Sequence, residues 1–113
     1  MIKTNSALLF FMSFLFNVGE ALAGNSDGVI SSIAQYDFVT LFSAGQHQNK
    51  PGCQILNGGG EGWAINVYSG HGKAMLALIL SAQAQGKTIT VWGNGTCDTW
   101  YSVETAVSIQ INN

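Results

Sequence analysis

Charge is scarce in this chain. Only 9% of its 113 residues are charged, four Lys or Arg against six Asp or Glu. From Gly24 onward the cations are Lys50, Lys73 and Lys87, and the anions are Asp27, Asp37, Glu61, Asp98 and Glu104. No basic patch is present to neutralise phosphates, which excludes nucleic acid as a partner. No polybasic segment is present for an anionic membrane. The two cysteines and two histidines lack any ligand spacing, so no metal site is assigned. P-loop, nucleophile-elbow and zinc-hydrolase motifs are missing too. His47 and His71 stand in separate loops. Ser69 lies close to His71, but a polar residue at a helix start accounts for that pair. Asp98 and Glu104 flank Trp100-Tyr101, and two carboxylates alone are commonplace. No catalytic residue and no cofactor are assigned, and a non-enzymatic protein is expected.

What the chain does contain begins with an export pattern. Lys3 precedes a nearly continuous apolar run, Ala7 to Phe16, and Ala21-Leu22-Ala23 supplies the small residues of a cleavage site. Residues 1–23 are expected to be a signal peptide and the mature chain to begin at Gly24, leaving 90 residues. The apolar run falls short of the roughly 20 residues that span a bilayer. An uncleaved anchor is the alternative. The mature chain, a single domain over 24–113, holds no transmembrane segment and is expected to be secreted or periplasmic. Cys53 and Cys97 both follow the signal, in an oxidising compartment where one intramolecular pairing is open to them. Closing that loop stabilises the fold by about 4 kcal/mol in the chain-entropy model.

Periodicity predicts a first strand over Tyr36–Phe42, inside a β-branched and aromatic stretch that starts at Ile30. Ser43–Pro51 reads as a loop and Cys53–Leu56 as a short strand. Gly58-Gly59-Gly60 is a further loop. Trp63–Tyr68 alternates, with Trp63, Ile65 and Val67 on one face. Gly70-His71-Gly72 breaks that strand. Lys73–Gln85 is a helix of Ala, Leu and Met with Gly86 as its stop. Thr88–Trp92 is a strand and Gly93–Thr96 a turn. Asn94-Gly95-Thr96 is also formally a glycosylation sequon. Val103–Ile111 is the last strand, with Val103, Val107, Ile109 and Ile111 on one face. Three strands, one helix and two strands predict a mainly β fold, a small, partly open five-stranded barrel of the oligonucleotide/oligosaccharide-binding (OB) type. A flat α+β sheet under one covering helix is the alternative.

The helix carries two candidate faces. Met75, Leu76, Ile79 and Leu80 are expected to cover the barrel. Ala74, Ala77, Leu78, Ser81 and Ala84 make a second face with no charge, where a monomer's solvent face is usually charged. They are candidates for a subunit interface, the alternative being a plain exposed face. For ligand binding, Trp92, Trp100 and Tyr101 with Asn94, Asp98 and Thr99 suggest an aromatic platform rimmed by polar groups, suited to a sugar. The alternative is that the tryptophans fill the core or an interface. The loops expected to bind are Ser43–Pro51 and Gly93–Thr99.

These segments carry a resemblance. Thr40-Leu41-Phe42-Ser43-Ala44-Gly45-Gln46-His47-Gln48-Asn49-Lys50-Pro51-Gly52-Cys53 resembles the first strand and loop of the pentameric B subunits of AB5 toxins, in their subtilase cytotoxin and pertussis-like branch. The helix and Gly86-Lys87-Thr88-Ile89-Thr90-Val91-Trp92 resemble that branch's helix, glycine and next strand. The chain is also similar to short bacterial secreted proteins with a like helix, a Gly-Thr-Cys-Asp segment and a final strand. The resemblance implies an OB barrel that binds cell-surface glycans, sialylated ones among them, as a homo-oligomer such as a pentamer. It also implies a separate catalytic A subunit as partner. The serine that meets sialic acid in the family falls near Gln35, which makes Ser31, Ser32 and Gln35 regional candidates. The family commonly has more cysteines and a longer C-terminal segment. The function expected is a secreted, glycan-recognising binding subunit. A stand-alone secreted or periplasmic module that binds a protein is the alternative.

Overall fold

Residues 23–55 and 60–113 are described by the computed structural model. The expected signal peptide up to Leu22, and the Leu56 and Gly58-Gly59 positions of the expected strand and loop, lie outside them. The elements are β1 (Asn25–Tyr36), β2 (Val39–Ala44), α1 (Gly52–Ile55), β3 (Trp63–Asn66), α2 (Gly70–Gln85), β4 (Thr88–Gly93) and β5 (Glu104–Ile111). The strands close on themselves in the order β1-β2-β3-β5-β4. Every neighbouring pair is antiparallel except β3–β5. The mainly β expectation holds, and the ring of pairing excludes the flat sheet. The barrel is closed where a partly open one was expected.

β1 makes closure possible because it serves two neighbours. Asn25–Val29 pairs with β4, and Ile30–Tyr36 pairs with β2. The register slips between Ile30 and Ser32, which leaves Ser31 as a bulge where the strand changes partner. Such an extra residue bends and twists a strand. Next to the bend, Gly45 sits at φ +69°, and a Cβ there would lie 1.8 Å from the Asp27 carbonyl oxygen. The expected strand over Tyr36–Phe42 is instead split by a turn. Tyr36 pairs with Val39 across Asp37 and Phe38, and Asp37 takes φ +51°. Aspartate tolerates that left-handed conformation, so hydrophobic alternation continues through a hairpin turn unmarked by glycine.

Cys53–Leu56, expected as a strand, is helical over Gly52–Ile55. The Gln54 and Ile55 amides donate to the Pro51 carbonyl, at 3.0 and 3.2 Å. A short apolar run is ambiguous by period alone, and proline with its fixed φ favours a helix start. α2 begins at Gly70, three residues before Lys73, because Ser69 caps it: its Oγ accepts from the Gly72 amide at 2.9 Å. Gly72 lies against β3, and a Cβ would come within 1.8 Å of the Asn66 carbonyl oxygen. The predicted stop is where Gly86 takes φ 65° and donates back to Ala82 and Gln83. The buried face is Gly72, Met75, Ile79 and Ala82. Leu80, expected on it, is 49% exposed. Five residues on from Met75 is about 140° around the helix.

The core holds Phe42, Ala44, Trp63, Ile65, Met75, Ile79, Ala82, Ile89, Val91 and Ala106. β5 departs from its expected face. Val107 is 38% exposed, while Glu104 and Ala106 are buried and Ile109 and Ile111 pack on the core. The cause is a second bulge: Trp92 pairs with Ser108 but Gly93 with Ala106, so Val107 is the extra residue and the alternation inverts there. His71 Nε2 lies 2.7 Å from the carbonyl oxygen of Val107, to which it donates. Cys53 and Cys97 form the expected disulfide, with Cα atoms 6.2 Å apart, and tie α1 to the β4–β5 loop.

Candidate functional site

The most closely built polar site lies where the start of β1, the β2–α1 loop and β5 meet. Glu104 opens β5 and points inward. Its Oε1 lies 2.7 Å from His47 Nε2, and both side chains are fully buried. Its Oε2 accepts from the Gly24 amide at 2.9 Å and the Gly95 amide at 2.8 Å. His47 Nδ1 faces the Gly62 carbonyl at 3.2 Å, and the imidazole stacks on Trp63 with ring centroids 3.7 Å apart. Both ring nitrogens therefore face oxygen: Nδ1–H donates to Gly62, and one proton lies on the Nε2–Oε1 line. Trp63 Nε1 donates to Ser26 Oγ at 2.9 Å. Gln54 Oε1 accepts from the Glu104 amide at 3.1 Å, and its Nε2 donates to Gly60 and Gly62 at 2.8 and 3.1 Å.

Two glycines leave room for this cluster. A Cβ on Gly93 would lie 2.1 Å from Glu104 Oε2, and one on Gly24 2.3 Å from Oε1. At the rim, the Glu61 carboxylate accepts from the His47 amide and from Lys50 Nζ, the latter at 3.2 Å. The His47 amide bond, with Lys50 adding, holds Glu61 below its ordinary value. The His47–Glu104 pair is sealed from solvent, so what it does chemically is satisfy buried polar groups and fasten three connections. Sequence reading missed it. The partners are 57 residues apart, and no motif joins them.

The predicted platform is only partly assembled. Trp92 does point away from Ile89 and Val91 and is 41% exposed on the outside of β4. Trp100 packs elsewhere, against Tyr36 at the end of β1, with ring centroids 5.4 Å apart. No ring contact joins Trp92 to Trp100 among the described residues. Tyr101, next to Trp100, is 78% exposed. Asn94 bonds within the loop, and Asp98 and Thr99 bond to Thr105 at the start of β5. Asn94 Oδ1 accepts from the Thr96 amide and hydroxyl, both at 2.9 Å. The Thr105 hydroxyl donates to Asp98 at 2.5 Å and lies 3.0 Å from Thr99 Oγ1. The Thr105 hydroxyl first, then Thr96 and Asn94, hold Asp98 below its ordinary value.

Of the β1 candidates, Ser31 sits in the bulge with its Oγ 3.4 Å from the Ser43 carbonyl. Ser32 is exposed and shares a face of the strand with Tyr36. Gln35 is engaged locally, accepting from the Thr40 hydroxyl and donating to the Asp37 carbonyl at 2.8 Å. Ser43–Pro51, expected as the first binding loop, is the end of β2 and the connection to α1. With β1 starting at Asn25, the first loop is the Asp37-Phe38 turn. Ala74, Ala77, Leu78, Ser81 and Ala84 are exposed, and Leu80 adds to that surface.

Among the described residues, no group of three or more His, Cys, Asp or Glu could hold a metal, and no helix is long and apolar enough to cross a membrane. No family model, curated protein or solved structure matches the chain.

Proposed function

We propose that this chain is an exported binding module of the OB type that recognises glycans at the mouth formed by the β1–β2 turn and the β4–β5 loop. The observation that carries the reading is the Tyr36–Trp100 ring contact, which joins the end of β1, beside the turn, to the β4–β5 loop. In OB barrels the corresponding loops hold oligosaccharides and oligonucleotides. The low charge argues for the neutral ligand. Tyr36 is 51% exposed and Tyr101 78% exposed, so aromatic faces are open to the apolar side of a sugar. Ser32 supplies a hydroxyl on the same face of β1.

The reading extends to assembly and export. Cleavage after Ala23 leaves Gly24, which is buried, as the first residue. Leu78 and Leu80, 38% and 49% exposed on a helix surface whose one charge is Lys73, favour self-association of the B-subunit kind, which multiplies weak sites. A catalytic A subunit would dock on such an assembly. The same two leucines favour the second reading, a stand-alone module that binds a protein there.

Binding of the purified, oxidised protein to a glycan array tests the ligand. Trp100→Ala and Tyr36→Ala are expected to lower binding at least about fivefold each, if a stacked sugar is worth the roughly 1–3 kcal/mol of a stacked base. Trp92→Ala is expected to leave it unchanged. Binding that survives both loop substitutions would refute the site. Light scattering on a sizing column tests assembly, and a clean monomer would move the reading to the stand-alone module.

A further inference from the structure

We infer that the buried site around Glu104 is a receptor for the chain's own α-amino group, freed by cleavage between Ala23 and Gly24. This rests on the reading that the export signal is removed at that bond. The step adds one water across the peptide bond. Hydroxyl goes to the Ala23 carbonyl carbon and hydrogen to the Gly24 nitrogen, and the amine then takes a proton from solvent.

Three observations place the new terminus. Ala23 is exposed and Gly24 is buried, so the first residue of the cleaved chain is one that the barrel encloses. The Gly24 nitrogen already lies 2.9 Å from Glu104 Oε2, on a side chain with no exposure of its own. That position does not depend on residue 23. The Gly24 carbonyl accepts from the Gly93 amide at 2.9 Å, and Asn25 exchanges both backbone bonds with Gln48, at 3.1 and 2.7 Å. Only glycine fits: a Cβ would lie 2.3 Å from Glu104 Oε1, 2.7 Å from His47 Nε2 and 2.8 Å from the Gln48 carbonyl oxygen.

Before cleavage the nitrogen offers Glu104 one neutral amide bond. Afterwards it offers a charged donor with three N–H bonds in place of one, so that the contact gains the attraction between an ammonium and a carboxylate. His47 holds the other carboxylate oxygen. Processing thus turns a buried carboxylate with one titratable partner into one with two, and the exported form is fastened more firmly than its precursor.

The test compares three oxidised chains: one starting at Gly24, the same chain acetylated on its α-amine, and one retaining Ala21-Leu22-Ala23. The Gly24 chain is expected to melt about 5 °C higher than the other two. Glu104→Gln should erase the difference. Because that variant can fail to fold, acylation of the α-amine is followed in the wild-type chain as well. It is expected to run at least about tenfold slower in the folded than in the urea-unfolded chain. The mass of the protein recovered after export gives its first residue. A first residue other than Gly24 overturns the cleavage point and this inference with it. Gly24 found first, with equal midpoints and an unprotected amine, overturns the inference and leaves the cleavage reading standing.

Discussion

Two carboxylates at the rims of loops set how this protein responds to acid. Glu61 is held below its ordinary 4.5 by the His47 amide first and Lys50 second. Asp98 is held below its ordinary 3.8 by the Thr105 hydroxyl first. A depressed value means that the folded chain binds fewer protons than the unfolded one. Their stabilisation is therefore whole above about pH 5 and is lost as pH falls through 4.5 and 3.8 to the lowered values. Thermal midpoints are expected to be steady from pH 7 to about 5 and to fall below that. The Glu61→Gln, Asp98→Asn double variant should show a shallower fall, and an unchanged slope would remove both groups from the account. At this scale the sequence was least readable. Glu104 looked like one of two carboxylates beside aromatic residues, and His47 like a loop residue. Their pairing depends on Gly24 and Gly93 leaving space, a long-range fact that no local pattern carries.

At the level of elements the sequence was mostly readable, with failures that have identifiable causes. The count of five strands came out right because two errors cancelled. One expected strand, Cys53–Leu56, is helical over its described residues up to Ile55, and the stretch from Ile30 to Phe42 is two strands around Asp37. Gly86 marked the end of α2 because glycine takes the left-handed φ of a helix stop at the least cost. The start was misplaced because Gly70 and Gly72 read as breakers, whereas Ser69 caps the helix and Gly72 provides close approach to β3. β5 misled because a bulge inverts its alternation at Val107, and a bulge leaves no mark in composition. His71 gains its role from that bulge, donating to the Val107 carbonyl. His71→Ala is expected to cost about 1 kcal/mol or less in urea denaturation, since the bond is exposed and water can replace the imidazole. A loss well above that would mean that the bulge itself needs the imidazole to form.

For the whole molecule, the question is what keeps the ring shut. β1 pairs with β2 and β4 over long stretches, but β3 and β5 meet only through Trp63 opposite Glu104 and Ala64 opposite Thr105. The seam is reinforced from outside. Gln54 on α1 accepts from the Glu104 amide, and the neighbouring Cys53 is bonded to Cys97 in the β4–β5 loop. The disulfide thus bridges the two sides of the weakest pairing in the barrel. It also closes a loop of 44 residues, which in the chain-entropy model stabilises the fold by about 4 kcal/mol. Reduction, or a Cys53→Ser, Cys97→Ser variant, is expected to lower the urea-derived stability by more than that amount, the excess coming from the folded seam. The loss should be uneven in space. Amide exchange should accelerate most in β3, β5 and the Asn94–Val103 loop, and least in the β1–β2 hairpin, whose pairing is continuous from Ser32 to Tyr36. Because the same loop carries Trp100, the proposed glycan binding should weaken together with the seam. Uniform acceleration across all five strands would instead mean that the disulfide acts only on the unfolded chain.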